Sequence, residues 1–237
     1  MNNSNPILHT IRPGDTLYSL ALMYGTSTQE ILRSNLILDP YNLQVGQQIY
    51  IYPNNYYCVS YAYVNLLTKM NLVWIEHVLW TRLFLISVAE SLSDLEATKA
   101  RLLQNPKDIA DVFRKYYGNN IANTIQQLLT EHLVIGGDLI VALKNGNQKL
   151  AQELNTKWYK NADSMAETFS SINPFYSKVE VQNMLYEHLK LTTAEVSARL
   201  KKDYTADIKA YDMVQKEALR MSEFFVNGIV KQFPNLF

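Results

Sequence analysis

A single cysteine, Cys58, in a chain of 237 residues leaves no internal disulfide to form. Nothing around Cys58 gives it the setting of a nucleophile, so it reads as a small packed residue, a bridge between chains being its other use. Glycine is also scarce: of eight, three (Gly14, Gly25, Gly46) fall in the first 50 residues. The remainder is therefore poor in turns and reads as long helices. An excess of either charge is missing too, with 22 basic and 22 acidic residues. A neutral chain lacks the field that nucleic acid or an anionic membrane surface attracts. No charged start leads into a long apolar run, so no secretory signal is read. The most apolar later stretch, 72–89, holds Glu76, His77 and Arg82 and reads as a buried helix, not a membrane span. "IGGDL" lacks the Gly-Lys-Ser/Thr of a phosphate loop, and no Gly-x-Ser-x-Gly nucleophile turn occurs. The pairs Asp94/Glu96 and Asp108/Asp111 read as solvated charge on helix faces. No cofactor is implied, and the chain reads as non-enzymatic.

What is present begins with "ILHTIR" (7–12), short and β-branched, which suits a strand. In Pro13-Gly14-Asp15-Thr16 the proline sets one dihedral and the glycine permits the bend. Asp15 or Thr16 then caps a helix. Leu17, Leu20, Ala21 and Tyr24 recur at helical spacing until Gly25 closes the helix. Ser27 and Glu30 have capping-box spacing for a second short helix through Leu32. After the loop "NLILDPYNLQVGQ", the alternation in "QIYIY" predicts a second strand.

This strand–helix–helix–strand order resembles a LysM module over about residues 8–52. The resemblance is carried by Pro13-Gly14-Asp15-Thr16-Leu17, the Gly25 stop, Asn35 and "LQVGQQIYI". It implies binding of N-acetylglucosamine-containing glycans, such as peptidoglycan or chitin, in a shallow groove between two loops. The implied groove residues are Asp15, Thr16 and Leu17 on one side and Leu38, Asp39 and Pro40 on the other. Tyr18 stands where tryptophan is common.

Residues 54–67 are tyrosine-rich (Tyr56, Tyr57, Tyr61, Tyr63) and read as a packed linker, since a free one would carry more Ser, Gly and charge. The expected division is thus a glycan-binding module at 1–53, a linker at 54–67 and helices over 68–237. Helical periodicity predicts spans at 68–103, 120–144, 148–172, 176–202 and 204–231, with a shorter helix after Pro106. The breaks are "QNPKD", "YYGNN", "KNGN" and "SINPF". Short connections imply antiparallel neighbours, so the fold class is mainly α: a small βααβ module plus an antiparallel all-α bundle.

Three of the four histidines follow a glutamate: "IEHVLWT", "TEHLVIG" and "YEHLKLT", 55 and 56 residues apart, by degenerate repetition or by chance. At about 100° per residue, His77, His132 and His188 face the core and each preceding glutamate turns away. One turn after each histidine stands a small residue (Thr81, Gly136, Thr192). That leaves room beside each imidazole for a ligand, a water or a partner side chain. With Glu195 the three histidines form a possible metal constellation. The Glu-x-x-His signature of carboxylate-bridged metal sites is absent. No metal is therefore assigned, and the histidines read as hydrogen-bonded core residues that fix helix register. Arg82 and Arg199 are expected to pair with buried carboxylates.

The helical part also resembles a family from spore-forming Firmicutes, from about Trp74 to Phe233. The resemblance is carried by "EHVLWTRLFLISVAESL", "RLLQNP", "WYKNAD", "INPF", "MLYEHLKLT" and "ALRMSEFFVNGIVKQF". Members carry the name acetylglutamate kinase, which this sequence does not support. Such a kinase needs a glycine-rich α/β nucleotide fold. The combined expectation is a self-associating, wall-associated protein that holds glycan polymer, without a membrane span or nucleic-acid partner. Made without a signal peptide, it is expected in a spore coat or outer spore layer, or in the cell wall. A phage-tail or injection-machine component and a metal-binding enzyme or sensor are the other readings.

Overall fold

The computed structural model describes residues 6–35, 43–53 and 60–237. The chain divides into two compact units, residues 1–60 and 61–237, and it is mainly α.

In the first unit, β1 (Ile7–Thr10) pairs antiparallel with β2 (Gln48–Ile51), Ile7 opposite Ile51 and His9 opposite Ile49. Between them lie α1 (Leu17–Met23) and α2 (Thr28–Asn35). Ile11, Leu17, Leu20, Ala21, Ile31, Ile49 and Ile51 form the core. Thr16 is the cap of α1: its Oγ1 accepts from the Ser19 amide at 3.0 Å, and Ser19 Oγ accepts from the Thr16 amide at 3.0 Å. Gly25, at φ 58°, ends α1 and lets the Thr26 amide reach the Ala21 carbonyl at 2.9 Å. Ser27 caps α2 by accepting from the Glu30 amide. Asn35 then acts as a peptide surrogate. Its side-chain amide donates to the Tyr50 carbonyl and accepts from the Tyr50 amide, both at 2.7 Å, which clips α2 to β2.

The second unit holds α3 (Tyr61–Glu90), α4 (Leu95–Leu102), α5 (Asn105–Lys144), α6 (Gln148–Ile172), α7 (Lys178–Leu200) and α8 (Tyr204–Gln232). Packing runs α3–α5–α6–α7–α8 and returns to α3, a closed ring of helices. Asn147, Ser177 and Asp203 cap α6, α7 and α8 through their side chains.

Three boundaries differ from the sequence expectation. Helix α3 begins at Tyr61, not at 68, because Leu66 and Met70 are buried and Tyr63 packs on the core. The span expected over 68–103 is two helices. Ser91, at φ 54°, breaks it, and Ser87 donates to Asp94 while Lys144 donates to the Val88 carbonyl and Ser91. Conversely, the helix after Pro106 runs into the next as α5, with a kink at Gly118 (φ 77°, ψ 178°) in "YYGNN". Helix α3 is long and apolar enough to cross a membrane, yet Met70, Trp74, His77 and Phe84 are buried within the unit.

The ring is internally threefold. Asn105, Asn161 and Glu217 recur every 56 residues, and eight residues after each comes a phenylalanine: Phe113, Phe169 and Phe225. These three rings contact one another at centroid distances of 5.4, 5.7 and 4.5 Å. The kink at Gly118 separates the part of α5 carrying Asn105 from the part carrying His132. The bundle is therefore three pairs of helical arms in succession.

The tightest approach is at Gly228, where a Cβ would lie 1.9 Å from the Tyr176 ring, itself held by its hydroxyl on the Phe225 carbonyl at 2.5 Å. Gly228→Ala is expected to destabilise the chain by about 1–3 kcal/mol through overpacking. Thermal melting of the full chain checks this; an unchanged midpoint would contradict the packing.

Candidate functional site

The first candidate is the loop side of the βααβ unit. Asp15, Thr16 and Leu17 line an open pocket of about 600 Å³ with Tyr18, Thr28, Leu32 and Leu43. Leu17 is buried and forms its floor, while Tyr18 is 69% exposed at its rim. Asp15 is fixed by a residue that the sequence reading missed. His9 Nε2 lies 2.9 Å from Asp15 Oδ2, its Nδ1 lies 2.8 Å from the Tyr24 hydroxyl, and the Arg12 amide donates to Oδ2 at 2.7 Å. These bonds, His9 first, hold the Asp15 carboxyl below the usual carboxylate range. Its Oδ1 accepts no hydrogen bond among the described residues and is available to a hydroxyl or amide of a ligand. The signal for His9 was its place in "ILHTIR" beside a buried face, which alternation alone could have flagged. Leu38, Asp39 and Pro40 lie outside the described residues, as do Tyr56, Tyr57 and Cys58.

The second candidate lies in the helical unit. His77, His132 and His188 are all buried (3%, 3% and 5% exposed) and gather around one cavity of about 30 Å³. Their ring centroids are 5.6, 6.3 and 6.4 Å apart. Thr81, Gly136 and Thr192, the small residues one turn on, also line it. That volume suits about one water-sized occupant.

The tautomers are set by the partners. His77 Nδ1 meets Asn105 Oδ1 at 2.9 Å, and His132 Nδ1 meets Asn161 Oδ1 at 3.0 Å. Each asparagine's NH2 is committed to a backbone carbonyl, Val73 for Asn105 and Leu128 for Asn161. The oxygen therefore faces the histidine, and Nδ1 must be the donor. His188 Nδ1 lies 3.3 Å from the Glu217 carboxylate without forming a hydrogen bond to it. Nε2 is thus the acceptor in the His77 and His132 rings. Burial, then the neighbouring His188, lowers the His77 pKa to about 4; His132 is lowered well below its usual value by the same causes and by His77.

Glu195, grouped with these histidines in the sequence reading, does not line the cavity. Arg82 Nη1 takes it at 2.6 Å and takes Asp207 at 2.8 Å, while Arg199 pairs with Asp207 and Glu90. Burial pushes Glu195 up to about 7 against the pull of Arg82. Among the described residues, no group of three His, Cys, Asp or Glu side chains stands close enough to hold a metal ion as placed. The partners Asn105, Asn161 and Glu217 were missed in the sequence. Their signal was the interval, 28, 29 and 29 residues after each histidine.

Residues 9–51 match the LysM domain family and form a LysM domain. Over 42 residues the chain is 43% identical to a protein of Escherichia coli (strain K12) named "Uncharacterized lipoprotein YgeR". That match takes in 18% of this chain and 17% of that protein, so the chain spans less than a fifth of the relative's length. No solved structure matches the chain.

The buried imidazoles give stability a defined pH dependence. The folded pKa of His77 lies below its unfolded value, so the unfolded chain takes up the proton first. The stability held above about pH 6.5 is then lost as pH falls toward 4, by about 3 kcal/mol from His77. Glu195, raised in the folded state, acts with the opposite sign over the same range. The test is therefore the difference between the wild type and His77→Gln in urea melts with EDTA. That difference is expected to shrink from pH 7 to 4.5; a constant difference would contradict a neutral, buried His77.

Proposed function

We propose that this protein is a non-enzymatic component of the cell wall or spore surface, holding N-acetylglucosamine-containing glycan through residues 9–51. The helical unit serves as the structural and assembly part. LysM domains bind glycan polymers such as peptidoglycan, and the observation that carries the reading is the pocket of that domain. An ionised, pre-oriented Asp15 whose second oxygen accepts no hydrogen bond among the described residues, the Thr16 hydroxyl and the exposed Tyr18 ring stand together there. Carboxylate and hydroxyl suit sugar hydroxyl and acetamide groups, and an aromatic face suits the apolar face of a pyranose. The name lipoprotein on the Escherichia coli relative supports association with a cell envelope.

Assembly is supported by an apolar stripe on α3. Tyr61, Val64, Leu72, Leu79 and Leu83 are between 36% and 86% exposed and recur at helical spacing. A second reading, a metal-binding bundle anchored to the wall, draws on the histidine cavity.

The full chain is expected to sediment with purified peptidoglycan or chitin. Asp15→Ala combined with Tyr18→Ala should weaken that by roughly tenfold, the loss of about 1.4 kcal/mol, with circular dichroism unchanged. A folded wild-type chain that stays in the supernatant with both polymers would sink the glycan reading. For assembly, light scattering at micromolar concentration should show more than one chain per particle, and Leu79→Glu with Leu83→Glu should reduce it. A strict monomer would refute the assembly role.

A further inference from the structure

We infer that the three-histidine cavity is a binding site for one divalent transition-metal ion, with His77, His132 and His188 as ligands through Nε2. This is independent of the glycan reading and rests on the helical unit alone.

Three observations converge. The threefold repeat brings the same side chain to one cavity three times, from α3, α5 and α7. The Nδ1–H of His77 and of His132 bonds an oxygen on a residue that does not line the cavity, which leaves their Nε2 edges to it, and the third ring has Nδ1 3.3 Å from Glu217, likewise off the cavity wall. Metal-bound histidines are arranged in this way, the outer nitrogen donating to a carbonyl or carboxylate that orients the ring and raises its basicity. The third observation is charge. Glu217 is 5% exposed, and among the described residues neither carboxylate oxygen has a hydrogen-bond partner. The nearby polar groups are His188 Nδ1 at 3.3 Å and Arg220 Nη2 at 3.8 Å. A buried carboxylate so poorly paired is costly. A cation on the far side of the His188 ring relieves it, polarising Nδ1–H toward the carboxylate.

The donor set selects the ion. Three neutral imidazoles suit zinc, iron, nickel or copper, and magnesium and calcium prefer oxygen. Bonds of about 2.0–2.1 Å would hold the ring centroids roughly 5–5.6 Å apart. The rings stand 5.6–6.4 Å apart, so the triangle contracts on the ion by up to about an ångström, into the space between them. The Thr192 hydroxyl, buried, unpartnered and on the cavity wall, is placed to bond a water in the remaining position.

The test uses untagged full-length protein, stripped with EDTA, dialysed and titrated with Co(II). Expected are saturation at one Co(II) per chain, visible absorption of a four- or five-coordinate ion, and displacement by Zn(II). His132→Gln and His188→Gln should weaken uptake at least 100-fold, and Asn161→Ala by about 10–100-fold. His9→Ala, at the other histidine of the chain, should leave it intact. Thr192→Leu fills the cavity while keeping all three imidazoles, and so remains informative if a histidine variant fails to fold; it should block uptake. Folded wild type that takes up none of Co(II), Zn(II) or Ni(II) would overturn the assignment, leaving a water or an imidazolium beside Glu217. Uptake that survives Thr192→Leu, or is lost in His9→Ala, would place the metal elsewhere and overturn it equally.

Discussion

A buried imidazole needs an oxygen for its Nδ1 proton, and for His77 and His132 that need fixes the helices around the ring. A buried donor left unpaired costs about 1–3 kcal/mol, so the helix that carries the acceptor is held in rotation and height. His77 and Asn105 thereby tie α3 to the start of α5 and His132 and Asn161 tie α5 to α6, while His188 and Glu217 face each other between α7 and α8 at 3.3 Å without a hydrogen bond. In the first two pairs the asparagine returns its own NH2 to the carbonyl four residues before the histidine, Val73 or Leu128. One side chain thus clasps both the ring and the backbone of the facing helix. Glutamate cannot make that return bond, so in the third pair Glu217 gives up the clasp and brings a negative charge.

The charged cluster performs a related task between other helices. Arg82 of α3 reaches Glu195 on α7 and Asp207 on α8, and Arg199 shares Asp207 and reaches back to Glu90 on α3. Asp207 is fully buried and Glu195 nearly so. Such a network adds little net stability over an apolar core, but breaking one partner strands the others. It closes the ring where α8 returns to α3.

Local chemistry explains how much of this was legible in the sequence. The βααβ order, the Thr16 and Ser27 caps and the Gly25 stop are set by neighbours within five residues, and they stand where the sequence puts them. The inward histidines and the small residues after them are a consequence of helical periodicity alone. The α3 start was hidden because tyrosines read as linker until Leu66 and Met70 are seen to be buried. Asn105, Asn161 and Glu217 were hidden for a different reason. Each resembles an ordinary helix-surface residue, and only the partner helix makes it internal. Aligning the three Glu-His segments with the residues 28 or 29 positions further along the chain brings all three partners into register.

Register alone does not account for the cavity. A register pin needs Nδ1 and its acceptor, and it is indifferent to what lies at the opposite edge of the ring. A leucine or methionine at position 81 or 192 would fill the space and add apolar burial of about 25 cal/mol per Å². Those positions instead hold Thr81 and Thr192, whereas Gly136 follows from packing, since the Trp158 ring stands 3.1 Å from where its Cβ would be. The three repeats also serve as comparisons for one another. They differ at Asn against Glu and at Thr against Gly, yet all keep the histidine and the small residue one turn later. The acceptor Nε2 atoms of His77 and His132, and the small side chains at 81 and 192, are therefore two features beyond what helix packing asks for. Both are what an occupant of that void requires.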